Sequence, residues 1–342
     1  MDLREAIRPL PKAELHQHID GAVRPATAVE LAAAAGIELR DVDEARRRLV
    51  APPRCRDQAE LLTYFDLPIA LLQRADALSR VSGELVEDLA GEGVRYAELR
   101  WAPRLHLEGG LRVDEVIAAV VDGVAAAIRR LGPGAPLVGL IVTAMRSHPP
   151  AANVRLAEEA AGFGPPIVGF DLAGPEAAYP APPHAAAFRA AERGGLALTA
   201  HAGEVPGAER ITEALDLGVR RIAHGVTAGD DDAIADLVRA RDVTLDMCPT
   251  SNVQTAIVPD LARHPVGRLH RSGVSVTIST DDRTVSGTSL TDELAATAEA
   301  LGLTDGELAA IALNAFRRAF APRSLVAPLL AEAELAWGDW RA

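Results

Sequence analysis

Four of the nine histidines in this 342-residue chain stand where short apolar runs come to an end. The first run closes as Glu14-Leu15-His16-Gln17-His18-Ile19-Asp20. Side chains alternate faces along a strand, so His16 and His18 project the same way and can grip one metal ion from adjacent rungs. A later run ends Thr199-Ala200-His201-Ala202-Gly203-Glu204, adding a third imidazole and a carboxylate three residues on. Gly203 permits a tight turn there, which lets Glu204 face the same cavity. Two more ends read Ala223-His224-Gly225 and Ser279-Thr280-Asp281-Asp282. Singly, each has a plain structural reading: His224 as a hydrogen-bonded core residue, Asp281 or Asp282 as a helix cap. Chance does not place four histidines, a glutamate and paired aspartates at strand ends in succession.

The elements that must position these groups follow from hydropathy patterning. Apolar segments rich in β-branched residues recur near 13–18, 95–101, 137–144, 167–173, 196–202, 220–224, 243–248 and 274–280, which makes eight strands. Helical patterns lie between them, as at 113–131, 183–194, 208–217 and 231–240. Strands alternating with helices imply parallel pairing, and eight such units imply closure into an α/β (β/α)8 TIM barrel, whose catalytic groups sit at the carboxyl ends of the strands. An open doubly wound sheet would carry a glycine-rich phosphate loop after its first strand, and none is visible. Residues 24–93 break the rhythm and read as a helical insertion over the barrel mouth. Beyond Thr291 the pattern is helical, giving the last barrel helix and an extension. Residues 1–342 are expected to form one domain.

Composition narrows the partners. The chain is 49% hydrophobic and only 4% aromatic, so the core must be built from Ala, Val, Leu and Ile. A formal net charge of −13 argues against nucleic acid, which needs a basic footprint. Cys55 and Cys248 cannot supply a disulfide framework, which fits a reducing compartment, and Cys248 reads as structural. Neither an apolar leader nor a run of membrane-spanning length is present, so the expected location is the cytoplasm.

The run from Pro11 through Lys12 and His16-Gln17-His18 to Gly21 resembles the opening signature of the adenosine deaminase family. Asp171-Leu172-Ala173-Gly174, His201-Ala202-Gly203-Glu204, Ala223-His224-Gly225 and Ser279-Thr280-Asp281-Asp282 also resemble the family's motifs, in its order and at comparable spacing. Arg95 to Pro103 is similar to its second strand. The resemblance implies one Zn2+ per chain, held by His16, His18, His201 and Asp281, and a small-molecule purine nucleoside as partner. It implies that Glu204 protonates ring nitrogen 1, that His224 orients the attacking water and takes up or stabilises its proton, and that Asp281 doubles as proton acceptor. His18 and Asp20 would line the substrate, with Asp20 at the ribose 5′-hydroxyl, Asp282 near nitrogen 7 and the Gly174 N–H near nitrogen 3. Leu61, Leu62, Tyr64, Phe65 and Leu67 would supply an apolar cover, like the family's gating helices. The expected reaction is hydrolysis of adenosine or 2′-deoxyadenosine to the 6-oxo nucleoside and ammonia. The alternative is another 6-aminopurine, such as adenine, aminodeoxyfutalosine or a modified adenine nucleoside. One position departs from the family: Arg283 stands where proline often follows the paired aspartates.

Two rival chemistries lack their parts. Two-metal amidohydrolases bridge their ions with a carboxylated lysine inside the barrel, yet Lys12 is the only lysine in the chain and precedes the end of the first strand. Cytidine-type zinc deaminases need a Cys-x-x-Cys pair, which two distant cysteines cannot make. A barrel without catalysis, serving as a nucleoside or metal sensor, is the remaining rival class, and none of the motifs favours it.

Overall fold

The computed structural model describes residues 2–341, and its centre is eight parallel strands paired in sequence order. They are β1 (Lys12–His18), β2 (Val94–Trp101), β3 (Leu137–Met145), β4 (Ile167–Ala173), β5 (Ala197–Ala202), β6 (Arg221–His224), β7 (Thr244–Met247) and β8 (Ser275–Ile278). All eight expected strands are present within a few residues of their expected bounds. The strands are buried on both faces, as a parallel barrel wrapped by helices requires, which explains why they read as apolar runs without alternation. The ring closes between Gln17 and Asp281, a parallel bridge three residues past the end of β8.

Residues 24–93 are helical, and their parts differ in what they pack against. Ala75–Ala90 lies along the helix Val113–Leu131 and against β2, the place of a barrel helix. The shorter helices Pro25–Ala35, Val42–Leu49, Gln58–Leu62 and Asp66–Leu71 precede it. Ala51, Cys55, Leu61 and Val285 form a small apolar cluster of their own, with Tyr64 and Phe65 against it. At the other end, Asp305–Arg317 packs on both β1 and β8, and Arg323–Arg341 packs on Asp305–Arg317. Trp337 of that last helix donates its indole N–H to the carbonyl of Pro11 at 2.8 Å, tying the extension to the start of β1. No helix among the described residues is long and apolar enough to cross a membrane.

Inside the barrel the core is not wholly apolar. Arg221 on β6 is almost fully buried between Glu98 of β2, which accepts from its guanidinium, and Asp246 of β7 at 2.8 Å. Phe320 covers the same guanidinium, its ring centre 3.6 Å from Cζ. One cation thus serves two anions that have no access to water. Arg221→Met should therefore lower stability by about 3–5 kcal/mol, because two buried carboxylates lose their counter-charge. Urea unfolding of the purified variant checks this; a loss under about 1 kcal/mol would show that those carboxylates are neutral in the folded chain.

Candidate active site

The carboxyl ends of β1, β5, β6 and β8 meet at one point. The register of β1 against β2 slips between Glu14 and Gln17, an irregularity of the kind that re-aims side chains at functional edges. Both histidines of the first strand turn inward there, with His16 Nε2 and His18 Nε2 3.2 Å apart. His201 Nε2 lies 3.2 Å from His18 Nε2. Asp281 Oδ1 lies 3.0 Å from His16 Nε2 and 3.4 Å from His18 Nε2. His224 joins the group more loosely: a ring nitrogen falls within 4.8 Å of the ligand atoms of His16, His201 and Asp281.

The separations fit a metal better than hydrogen bonds. Ligand nitrogens about 2.0–2.1 Å from a tetrahedral ion stand about 3.4 Å apart. Four of the spacings among these donors fall at 3.0–3.4 Å, and the ligand atoms of His16, His201 and Asp281 all lie within 4.8 Å of one another. Burial pushes His16 well below its ordinary pKa and His18 down to about 4, so both imidazoles are neutral, the form that coordinates. His201 presents its Nδ1 to Asp171 at 3.1 Å, leaving Nε2 for the cluster. Burial alone would raise Asp171, but His201 and Arg100, the latter 3.3 Å away, hold it below the usual carboxylate range. The second oxygen of Asp281 accepts from Ser251 Oγ at 2.7 Å and lies 3.9 Å from His224 Nε2.

Backbone conformation does part of the positioning. Asp281 and His224 both adopt left-handed φ, +62° and +68°, which L-residues avoid at a cost of about 1–3 kcal/mol each. Gly203 has φ +73°, and its turn carries Glu204 back to the cavity, with Glu204 Oε1 3.6 Å from His224 Nε2. A Cβ on Gly21 would fall 2.0 Å from Asp282 Oδ1, so only glycine lets that carboxylate sit where it does.

A cavity of about 280 Å³ opens beside the cluster. His18, Asp20, Gly174, His201, Glu204, His224, Asp281 and Asp282 all line it, while His16 lies buried behind. Leu61, Leu62 and Phe65 of the insertion form an apolar wall; Leu67 belongs to the main core instead. Burial, then the charges of Asp281 and Glu176, raises the Glu204 pKa well above the ordinary glutamate value. Asp282 is likewise raised, first by burial and then by Asp281. Asp20 is held by His106 Nε2 at 2.6 Å and by the Ala102 N–H at 3.2 Å. Arg283 forms an ion pair with Glu92, so its guanidinium is committed away from the cavity. Lys12 donates to the carbonyls of Ile7, Arg8 and Leu10 at the opposite end of β1, far from the cluster.

Sequence reasoning passed over several groups at this site. Gln58 of the insertion donates to Glu204 Oε2, and Glu176 accepts from the N–H groups of Gly203 and Glu204 at 2.8 and 2.9 Å. Asp171 was visible within its motif but carried no role. Asn252 and His264, behind His224, carried no signal beyond the position of Asn252 just after a strand end.

Comparison with known proteins gives one consistent family. The family described as adenosine deaminase matches residues 11–334. An adenosine deaminase of Clostridium perfringens is 37% identical over 321 residues, 92% of this chain and 96% of its own length. An adenine deaminase from Arthrobacter aurescens superposes with TM-score 0.88 at 30% identity, covering 96% of this chain and 99% of its own. An amidohydrolase from Burkholderia ambifaria, solved with bound Zn, gives TM-score 0.89 at 26% identity over 98% and 93% of the two chains. The N6-methyl-AMP deaminase of Arabidopsis thaliana gives 0.86 at 26% identity over 98% and 99%.

Asp171→Ala should weaken metal binding about 10–100-fold, since His201 loses the acceptor that fixes its ring. Chelator competition measures this; unchanged affinity would remove Asp171 from the support of the cluster.

Proposed function

Because the chain belongs to the adenosine deaminase family and is a hydrolytic deaminase of adenine-type purines, we propose that its substrate is adenosine or 2′-deoxyadenosine. The products are the 6-oxo nucleoside and ammonia. The observation that carries this reading is the cavity, which sets Glu204 and His224 beside the histidine–aspartate cluster and Asp20 on the same wall.

In this reading His16, His18, His201 and Asp281 hold one Zn2+. When bound, such an ion lowers the pKa of a water to about 7 and so supplies a nucleophile at neutral pH. Every other task falls to the chain. Glu204, kept protonated by burial, donates its proton to ring nitrogen 1 and makes carbon 6 electrophilic. Gln58 fixes that carboxyl, and Glu176 holds the backbone of Gly203 and Glu204 that carries it. His224 orients the attacking water, and Asp281 is the nearby acceptor for its proton. Asp282, protonated in its buried setting, donates to nitrogen 7, and the Gly174 N–H approaches nitrogen 3. Leu61, Leu62 and Phe65 exclude water from the ring.

Asp20 separates the substrates. Its carboxylate accepts a ribose 5′-hydroxyl and would repel a 5′-phosphate, which favours a nucleoside over AMP. Free adenine would leave that wall without a partner. An ultraviolet assay across adenosine, 2′-deoxyadenosine, adenine, AMP and aminodeoxyfutalosine should give the highest kcat/KM with the first two. Preference for adenine or AMP would overturn the assignment of Asp20. Glu204→Gln should retain its zinc and lose about 10²–10⁴-fold in kcat, and equal activity would remove Glu204 as the proton donor.

A further inference from the structure

Behind His224 a line of buried polar groups leads away from the cavity. His224 Nδ1 lies 3.1 Å from Asn252 Nδ2, and Asn252 Oδ1 lies 3.1 Å from His264 Nε2. His264 Nδ1 in turn accepts the backbone N–H of Val266 at 3.3 Å. His224, Asn252 and His264 are all buried. The Asn252 backbone is pinned as well: its N–H donates to the Cys248 carbonyl at 2.9 Å, and its own carbonyl accepts from the Val258 N–H at 3.1 Å.

The direction of this line is fixed from its far end. Val266 opens the helix Val266–Arg271, so its N–H has no partner within the helix. A backbone N–H can only donate, and Nδ1 of His264 must therefore be bare. Burial holds His264 neutral, with its pKa down to about 3, so its single ring proton sits on Nε2. That proton faces an acceptor, which must be Oδ1 of Asn252; the Asn252 amide group then donates to His224 Nδ1. Turning the Asn252 amide over would set His264's proton on Nδ1, against the Val266 N–H. Two hydrogens would face each other in a dry interior.

We propose that Asn252 and His264 are positioning residues that hold His224 in its Nε2–H tautomer, with the ring proton presented to the cavity. The proposal rests on His224 acting at the reacting centre as described above. Held this way, His224 enters the reaction as a hydrogen-bond donor, and its Nδ1 is closed to exchange. Two carboxyl groups flank that proton, Glu204 with Oε1 at 3.6 Å and Asp281 with Oδ2 at 3.9 Å from Nε2, and neither offers a lone-pair nitrogen in competition for it. The base for the attacking water must then be Asp281, not the imidazole.

Two-bond proton–nitrogen correlation spectra of protein labelled with 15N-histidine read the tautomer directly, with no substrate present. Wild type should show His224 and His264 both protonated on Nε2. In Asn252→Asp the new carboxylate accepts instead of donating, so His224 should switch to the Nδ1–H form. Zinc content should stay at one per chain, while kcat falls about 10²–10³-fold and KM changes little, the pattern of a lost donor at a developing charge. His264→Gln keeps an N–H for Asn252 Oδ1 and should retain more kcat than His264→Leu. An Nδ1–H His224 in wild type, or an unchanged tautomer in Asn252→Asp, would overturn the proposal. If instead the spectra are as expected but adenosine is not turned over, the substrate assignment fails and the tautomer assignment stands.

Discussion

A closed barrel must join its last strand to its first, and in this chain that seam is made by Asp281. Its N–H donates to the carbonyl of His16 at 2.9 Å, and its carbonyl accepts from the N–H of His18 at 2.7 Å. The Gln17 amide adds a third tie to the same carbonyl at 3.2 Å and accepts from Thr280 Oγ1 at 2.6 Å. The residue that completes the ring with its backbone is therefore the one that brings its carboxylate to both histidines. Its left-handed φ turns the side chain inward while the backbone stays in the seam. Closure of the fold and assembly of the site are one event.

Buried charge extends that economy through the barrel. Arg100 reaches Asp171 at 3.3 Å and the carbonyl of Leu15 at 2.8 Å, linking the first strand to the carboxylate that orients His201. Arg146 donates to the carbonyl of His201 from the loop after β3. Such groups are costly to bury and are tolerated because each is paired or hydrogen-bonded. The same dryness lowers the pKa of the His16 and His18 imidazoles and raises that of the Glu204 carboxyl. One property of the interior, exclusion of water, shifts imidazole and carboxyl alike towards their neutral forms.

Much of this was legible in the residues, for identifiable reasons. Parallel strands buried on both faces appear as apolar β-branched runs, so all eight could be read. The polar groups at their ends stood out because a strand end is where such a fold exposes chemistry. Less legible were contacts between segments remote in sequence. Gln58 meets Glu204 across 146 positions, a pairing that no local periodicity carries. Asn252 lies on the short helix Pro249–Gln254 after β7 and His264 just past the turn Leu261–Arg263, where neither spacing nor hydropathy marks a partner. The helical stretch 24–93 read as one insertion, although Ala75–Ala90 occupies the place of a barrel helix, because amphipathic helices look alike whether they cover a sheet or a mouth. Arg283, suspect for replacing a proline beside the cavity, answers to Glu92. A substitution in a loop sequence reveals a new side chain but not the direction in which it leaves.

The convergence of four side chains on one point is most directly tested by crystals of the zinc-loaded protein, with diffraction recorded on both sides of the zinc absorption edge. A single anomalous peak should lie within about 2.0–2.2 Å of Nε2 of His16, His18 and His201 and of a carboxylate oxygen of Asp281. Absence of a peak there, a second ion beside it, or an ion bound without Asp281 would contradict the account.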